Sequence, residues 1–317
     1  MTASDLINST KKTAFSFEVL PPLKGTGTGS LFRTIDTLKE FDPKYINITT
    51  HRSEYVYVEV ADGTYVRHSM RRRPGTVAVA SAIMQKYDIK VVPHVVVSGM
   101  SKEDIEYMLL DLQFLGIQDL LVLRGDKAKE DARFIPAKDG YRYATELIEQ
   151  INMFNEGKFI NGDIIKNPGK PFSFGVAAYP EKHEEAPNPE FDLQVLKKKQ
   201  DMGADYAVTQ IFYDNEKYFR FVEKAREAGI TIPIIPGIKP MAKMSQFNVL
   251  PKTFHLDLPE ALSNEVRKCK SDEEVKQVGI EWGVEQCKEL MQHGVPSLHF
   301  YTVSAVESIK EIAKRIY

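Results

Sequence analysis

Short apolar runs rich in β-branched residues recur along the chain, each followed by polar turn residues and then by a stretch with helical spacing. The runs cover residues 13–20, 45–50, 90–97, 119–124, 171–178, 205–212, 232–238 and 297–303. Between them, the stretch 101–115 places Ile105, Met108, Leu109 and Leu112 at three- and four-residue steps, the period of one helix face. Ser101 stands three residues before Asp104, a capping pair that starts a helix there. The pattern therefore predicts alternating strands and helices. A run such as 232–238, apolar almost throughout, suits a strand covered on both faces, the condition of a parallel sheet. Eight such units predict a closed (β/α)8 TIM barrel over an open doubly wound sheet, because eight is the count that closure needs.

Two features interrupt the alternation. After the second strand, residues 54–67 read as a β-hairpin insertion, with Asp62-Gly63 as a tight-turn pair between alternating segments. At the catalytic end of a barrel such an insertion reads equally as a lid or as a surface or subunit contact. Extra helices are expected between Met244 and Gln292, before the last strand. No shift of composition and no linker divides the chain, so 1–317 reads as a single domain.

Composition narrows the class of function. A chain that is 43% hydrophobic and 27% charged can build a large core with a soluble exterior. Its formal net charge of −2 gives no broad attraction to nucleic acid or to a membrane surface. Cys269 and Cys287 lack the spacing of a zinc site and the density of a disulfide framework, which points to a reducing, cytoplasmic setting. Residues 1–12 lack the apolar centre of a signal peptide, and no run is long enough to span a bilayer.

In a barrel, chemistry is expected at the C-terminal ends of strands and in the loops after them. Glu18 interrupts Phe15-Ser-Phe-Glu-Val-Leu20. A carboxyl in an apolar strand is costly unless paired or protonated, so Glu18 reads either as a general acid or as a structural partner of an Arg or Lys. Arg124-Gly125-Asp126 leaves another strand with a cation, a flexible backbone and an anion; a phosphate contact and a local ion pair are both open. His94, Tyr179 and Gln210 add polar groups near three further strand ends. Each alone reads as a satisfied polar residue, but together they offer the converging donors of a ligand site.

Several motifs are missing. Gly25, Gly27 and Gly29 do not make a dinucleotide fingerprint, since the third glycine of G-x-G-x-x-G falls on Ser30. Arg71-Arg72-Arg73 reads as a solvated face. No Walker phosphate loop, metal-ligand cluster or G-x-S-x-G elbow is present, and no metal is expected.

Read in order, Phe17-Glu18-Val-Leu-Pro21-Pro22, Pro93-His94, Leu123-Arg124-Gly125-Asp126, Ala178-Tyr179-Pro180-Glu181-Lys182-His183, Thr209-Gln210, Ile235-Pro236-Gly237-Ile238 and His299-Phe300-Tyr301-Thr302 closely resemble the methylenetetrahydrofolate reductase family. The resemblance runs from the first strand to the last. It implies a flavin-containing barrel that reduces 5,10-methylenetetrahydrofolate to 5-methyltetrahydrofolate, passing hydride from NADH or NADPH through FAD in a ping-pong cycle that serves one-carbon metabolism and methionine supply. It also implies that Glu18 is the general acid and that Asp126 lies near flavin and folate, stabilising a cationic folate. By the same resemblance, Gln210, Gln246 and Tyr301 contact substrate, while Thr49, His94, Arg124, Gly125, Asp126, Tyr143, Ala144, Tyr179, His183, Asp192 and Lys199 contact FAD.

Three departures from the family pattern stand out: Thr50-His51-Arg52-Ser53 replaces a Gly-Ala found in many relatives, Ala305 stands where an arginine is frequent, and Leu250 stands where an aromatic residue is common. Longer members append a domain that binds S-adenosylmethionine; the chain's end after the eighth unit leads us to expect that control to be missing. Relatives are commonly homo-oligomers, and the same is expected here. Two other readings remain at this point: a flavin barrel with a different substrate, akin to the proline dehydrogenases, and a noncatalytic barrel that binds folate or a partner.

Overall fold

Burial divides the strands into two kinds. The computed structural model describes residues 1–10, 12–128 and 130–317. Strands β1 (Ala14–Val19) and β2 (Tyr45–Ile48) are covered along nearly their whole length, whereas β3 (Glu54–Glu59) and β4 (Tyr65–Met70) are mostly exposed. The covered kind continues with β5 (Val91–Val96), β6 (Asp119–Leu123), β7 (Ser173–Ala178), β8 (Tyr206–Ile211), β9 (Ile234–Ile238) and β10 (Ser297–Tyr301). These eight close a barrel in the order β1-β10-β9-β8-β7-β6-β5-β2, and the registered pairs among them are parallel. Each strand neighbours the next barrel strand in the chain, as the alternation predicts for a (β/α)8 barrel.

Helices fill the intervals. They are α1 (Ala3–Ser9), α2 (Gly29–Leu38), α3 (Thr76–Lys86), α4 (Lys102–Phe114), α5 (Ala144–Asn155), α6 (Pro189–Asp201), α7 (Asn215–Glu227), α8 (Gln246–Phe254), α9 (Glu260–Lys268), α10 (Asp272–Gln292) and α11 (Val306–Ile316). The Ser101–Asp104 pair caps α4 reciprocally, and Ile105, Met108, Leu109 and Leu112 are its buried face. The extra helices expected before the last strand are α8, α9 and the barrel's long α10. Among the described residues no helix is long and apolar enough to cross a membrane.

The chain divides into two compact units, residues 1–19, 33–47 and 173–317 in the first and 20–32 and 48–172 in the second. In the first, a buried polar layer fills the base: Ser16 Oγ lies 2.9 Å from His299 Nδ1, and the Tyr45 ring stacks on His299. Glycine is required above it. A Cβ at Gly175 would collide with the Tyr206 ring, and one at Gly237 would collide with the Tyr301 ring and the Thr209 carbonyl.

In the second unit, β3 and β4 pair antiparallel from Glu54↔Met70 to Glu59↔Tyr65. Asp62 makes the turn by accepting from Thr64 N at 2.9 Å and Thr64 Oγ1 at 2.6 Å, while Gly63 takes a φ of 80°. The ribbon runs on to Met70, past the predicted end at 67. Arg71–Arg73 is not uniformly a solvated face: Arg72 pairs with Glu54 at 3.1 Å, and the partly buried Arg73 donates to the Pro21 carbonyl.

Candidate active site

Glu18 lies near the C-terminal end of β1, where the strand's apolar neighbours enclose it. Burial pushes its carboxyl up to about 7, and the positive charge of Lys239 opposes the rise. Its backbone partner in β10 is Tyr301, and Thr302 Oγ1 donates to the Glu18 carbonyl at 2.7 Å. Tyr301 donates its hydroxyl to Thr209 O at 2.7 Å, and the Thr209 hydroxyl accepts from Gly237 N at 2.9 Å. Four strands, β1, β10, β9 and β8, thus lock the surroundings of one carboxyl. The charge of Lys239 acts on Glu18, and the carboxyl stays raised in spite of it.

The other residues assigned to substrate use part of their capacity on the backbone. Gln210 adjoins Thr209 at a register irregularity of β8, and its Oε1 accepts from Ile211 N at 2.9 Å. Gln246 opens α8 with its Oε1 accepting from Ala242 N at 2.7 Å and Lys243 N at 3.1 Å. Each side-chain amide keeps N–H donors for other work. Leu250, four positions on, is buried in the cluster around Ile211 and Met241, so its apolar character serves packing.

A second group gathers after β7. The rings of Tyr179 and His183 meet edge to face with centroids 4.8 Å apart. Asp192 accepts from His183 N at 2.8 Å, and the buried Lys199 donates to Ala177 O at 3.1 Å. Asp192 and Lys199 therefore brace the loop and strand that carry Tyr179 and His183. Lys217 extends the bracing by joining Glu181 at 2.9 Å to Asp257.

The second unit presents its own set. His94 is buried in β5, and among the described residues its Nε2 has no hydrogen-bond partner. Burial and the neighbouring His51 drive its pKa down to about 3, so it is a neutral imidazole at physiological pH. Thr50 donates to the His94 carbonyl and pairs with the Thr76 hydroxyl, while Thr49 Oγ1 lies 3.3 Å from His51 Nε2. Arg124 places its guanidinium 4.8 Å from the Phe134 ring centroid. Gly125 has a φ of 79°, and a Cβ there would come within 2.9 Å of Ser98 Cβ. Ser98 fixes the turn from both sides, donating its hydroxyl to Asp126 O and its N–H to Arg124 O at 2.9 Å. Asp126 is exposed, which leaves its carboxylate solvated, unlike Glu18. Tyr143 and Ala144 stand at the start of α5, where Glu146 accepts from Tyr143 N at 2.8 Å.

Two residues of these surroundings carry no role in the sequence reading. His51 is electrostatically coupled to Arg73, Asp126 and Glu54, and Lys239 to Glu18. The available signal for Lys239 is its place two residues beyond the strand glycine Gly237. Among the described residues no group of three or more His, Cys, Asp or Glu is placed to hold a metal.

A family model described as methylenetetrahydrofolate reductase matches residues 3–317. Methylenetetrahydrofolate reductase 1 of Schizosaccharomyces pombe is 32% identical over 308 residues, covering 96% of this chain and 46% of that protein. Methylenetetrahydrofolate reductase (NADH) 1 of Arabidopsis thaliana is 32% identical over 307 residues, 94% of this chain and 47% of that protein. The chain thus spans about half the length of these relatives. The 5,10-methylenetetrahydrofolate reductase of Pectobacterium carotovorum is 29% identical over 293 residues, 92% of this chain and 86% of its own. Among solved structures, an uncharacterized protein from Clostridium thermocellum, described as binding two copies of 5-methyl-5,6,7,8-tetrahydrofolic acid, aligns with a TM-score of 0.58 at 13% identity over 99% of this chain and 98% of that one, a likeness of fold.

Proposed function

Because the chain belongs to the methylenetetrahydrofolate reductase family, we propose that it reduces 5,10-methylenetetrahydrofolate to 5-methyltetrahydrofolate with NADH or NADPH as donor and FAD as the resident cofactor. The observation that carries the reading is Glu18, a carboxyl raised to about 7 at a strand exit of the barrel. An acid poised near neutrality holds a proton to give at physiological pH and recovers it easily afterwards.

FAD, when bound, supplies the hydride carrier between the nicotinamide and the folate. The residues present suit such a group. His94 offers a buried neutral imidazole whose Nε2 has no protein partner among the described residues, and Arg124 offers a cation beside a glycine turn that a Cβ would crowd. Thr49, Tyr143, Ala144, Tyr179 and His183 are the further residues we assign to holding it. Asp192 and Lys199 serve in this reading by positioning, since their charged groups hold the backbone of the Tyr179–His183 segment.

Glu18 gives its proton to the leaving ring nitrogen as the folate's five-membered ring opens, and that nitrogen keeps the electron pair of the broken C–N bond. The exposed Asp126 carboxylate stabilises the resulting cationic folate, and Gln210, Gln246 and Tyr301 orient it. Two free thiols agree with a reducing cytoplasmic setting. The test is the visible spectrum of the purified, FAD-supplied protein: NADH or NADPH should bleach a bound flavin, and methylenetetrahydrofolate should restore the colour. A protein that takes up no flavin, or whose reduced flavin ignores the folate, would sink the reading.

A further inference from the structure

Alternation along β9 and β10 brings a lysine into the surroundings of Glu18. Position 237 faces the Tyr301 ring, because a Cβ there would enter it, and a period of two returns Lys239 to the same side just beyond the strand. Both ends of Lys239 are tied. Its backbone carbonyl accepts from the Tyr213 hydroxyl at 2.9 Å, and its Nζ donates to Val303 O at 2.6 Å. Val303 lies two residues beyond Tyr301, which is the register partner of Glu18. The ammonium therefore spans from the end of β9 to the end of β10, beside the strand that carries the carboxyl.

Lys239 is only 9% exposed, and burying an ammonium against one neutral carbonyl compensates poorly for the water it loses. The anion its charge couples to is Glu18. Among the described residues, the titratable groups acting on or with Glu18 are Lys239 from β9 and Tyr301 from β10, with Tyr179 after β7 and Tyr45 on β2 acting on the Tyr301 phenol. Of these, Lys239 is the cation. The motif Ile235-Pro236-Gly237-Ile238 ends just before Lys239, and the family resemblance gives that lysine no part.

We propose that Lys239 is a positioning residue of the active site, whose tethered ammonium sets how readily the Glu18 carboxyl releases and regains its proton. The proposal rests on the proposed function for its catalytic meaning, but the coupling of the two side chains stands apart from it. Burial alone would leave Glu18 neutral and a weak acid. The nearby positive charge stabilises the carboxylate left after proton transfer and holds the carboxyl close to neutrality, where one group can donate and be reprotonated from solvent in each cycle. Reciprocally, the carboxylate keeps Lys239, pushed down to about 8 by burial, from falling further.

The test compares Lys239→Met with Lys239→Arg. Two readouts are needed: the pH dependence of folate-driven flavin reoxidation in rapid mixing, and the titration of the Glu18 carboxyl itself in infrared difference spectra against Glu18→Gln. Lys239→Met should move the alkaline limb and the carboxyl titration upward together by about one pH unit, the low end of what an opposite charge does. Lys239→Arg should keep both near the wild-type position. An unmoved carboxyl titration in Lys239→Met, or an equal shift in both variants, overturns the proposal. If wild-type protein does not turn over folate, the functional reading fails, and the infrared titration still decides the coupling. If Lys239→Met does not fold, Glu18→Gln takes its place: NMR of isotope-labelled lysine should show the Lys239 titration falling once the carboxylate is gone, and an unmoved titration overturns the proposal equally.

Discussion

Glu18, partly covered on β1, and His94, buried on β5, are ionisable groups set in apolar strands, and loss of water acts on them in opposite directions of pKa. It raises the carboxyl to about 7 and lowers the imidazole to about 3. In both the neutral form is favoured: the imidazole is neutral at physiological pH, while the carboxyl is poised between its protonated and ionised forms. A barrel strand therefore does not specify acid or base; it favours the uncharged form, and the residue type decides which chemistry that leaves. The signs of their contributions to stability differ in the same way. The folded state binds the Glu18 proton more tightly than the unfolded chain does, so stability falls as pH rises from about 4.5 to about 7. For His94 the unfolded chain binds the proton more tightly, so its contribution is complete above about 6.5 and is lost as pH falls toward 3.

The sharpest way to separate the two is catalytic. Glu18→Gln removes the proton but keeps the size, and folate-driven reoxidation of reduced flavin should slow about 10²–10⁴-fold. Flavin reduction by the nicotinamide, which draws no proton from Glu18, should change far less. Rapid mixing of each half-reaction checks this, and equal slowing of both would make Glu18 an organiser of the flavin site instead.

Next in size are the stability slopes. Replacing His94 by Gln should abolish an acid-side loss on the order of 5 kcal/mol between pH 6.5 and 3. Glu18→Gln should abolish an opposite loss on the order of 3 kcal/mol between pH 4.5 and 7, making the variant the more stable protein at pH 8. Urea unfolding across this range would show it. Parallel profiles for wild type and either variant would refute the assigned cause.

A smaller effect tests enclosure as that cause. Gly237→Ala must displace the Tyr301 ring and the Thr209 carbonyl, at a cost of roughly 1–3 kcal/mol. Water admitted beside Glu18 should lower its carboxyl titration while that of His94 stays put, both followed spectroscopically. Smallest of all is the control: replacing the hairpin tip 60–64 with a two-residue turn should leave both slopes within about 0.5 kcal/mol. The same variant tells lid from contact, since altered Michaelis constants indicate the first and altered oligomer size the second.

The barrel was legible because its strands are buried on both faces, and continuous apolar runs such as those at β5 and β9 survive in the sequence as visible signals. Strand exits were legible for the same reason: Glu18 and His94 stand out as polar residues in apolar runs. What stays hidden depends on partners distant in the chain. Lys239, read in Ile-Lys-Pro, resembles an exposed turn lysine, and its burial depends on a carbonyl 64 residues away. Asp192 and Lys199 read as ligand contacts, while the backbone atoms they hold emerge only when β7 and α6 pack. Helix α1 was missed because its seven residues show too little periodicity, although Thr2 and Asp5 cap it reciprocally.

The shared volume at Gly237 and Tyr301 also constrains how this sequence can drift. A Cβ at 237 meets both the Tyr301 ring and the Thr209 carbonyl, so shrinking the ring alone would not admit a side chain, while it would leave a void and deprive Thr209 O of its donor. Glycine at 237 is therefore held from two sides, by a backbone carbonyl on β8 as well as by the ring on β10. Descendants are thereby bound to glycine at 237 whatever stands at 301.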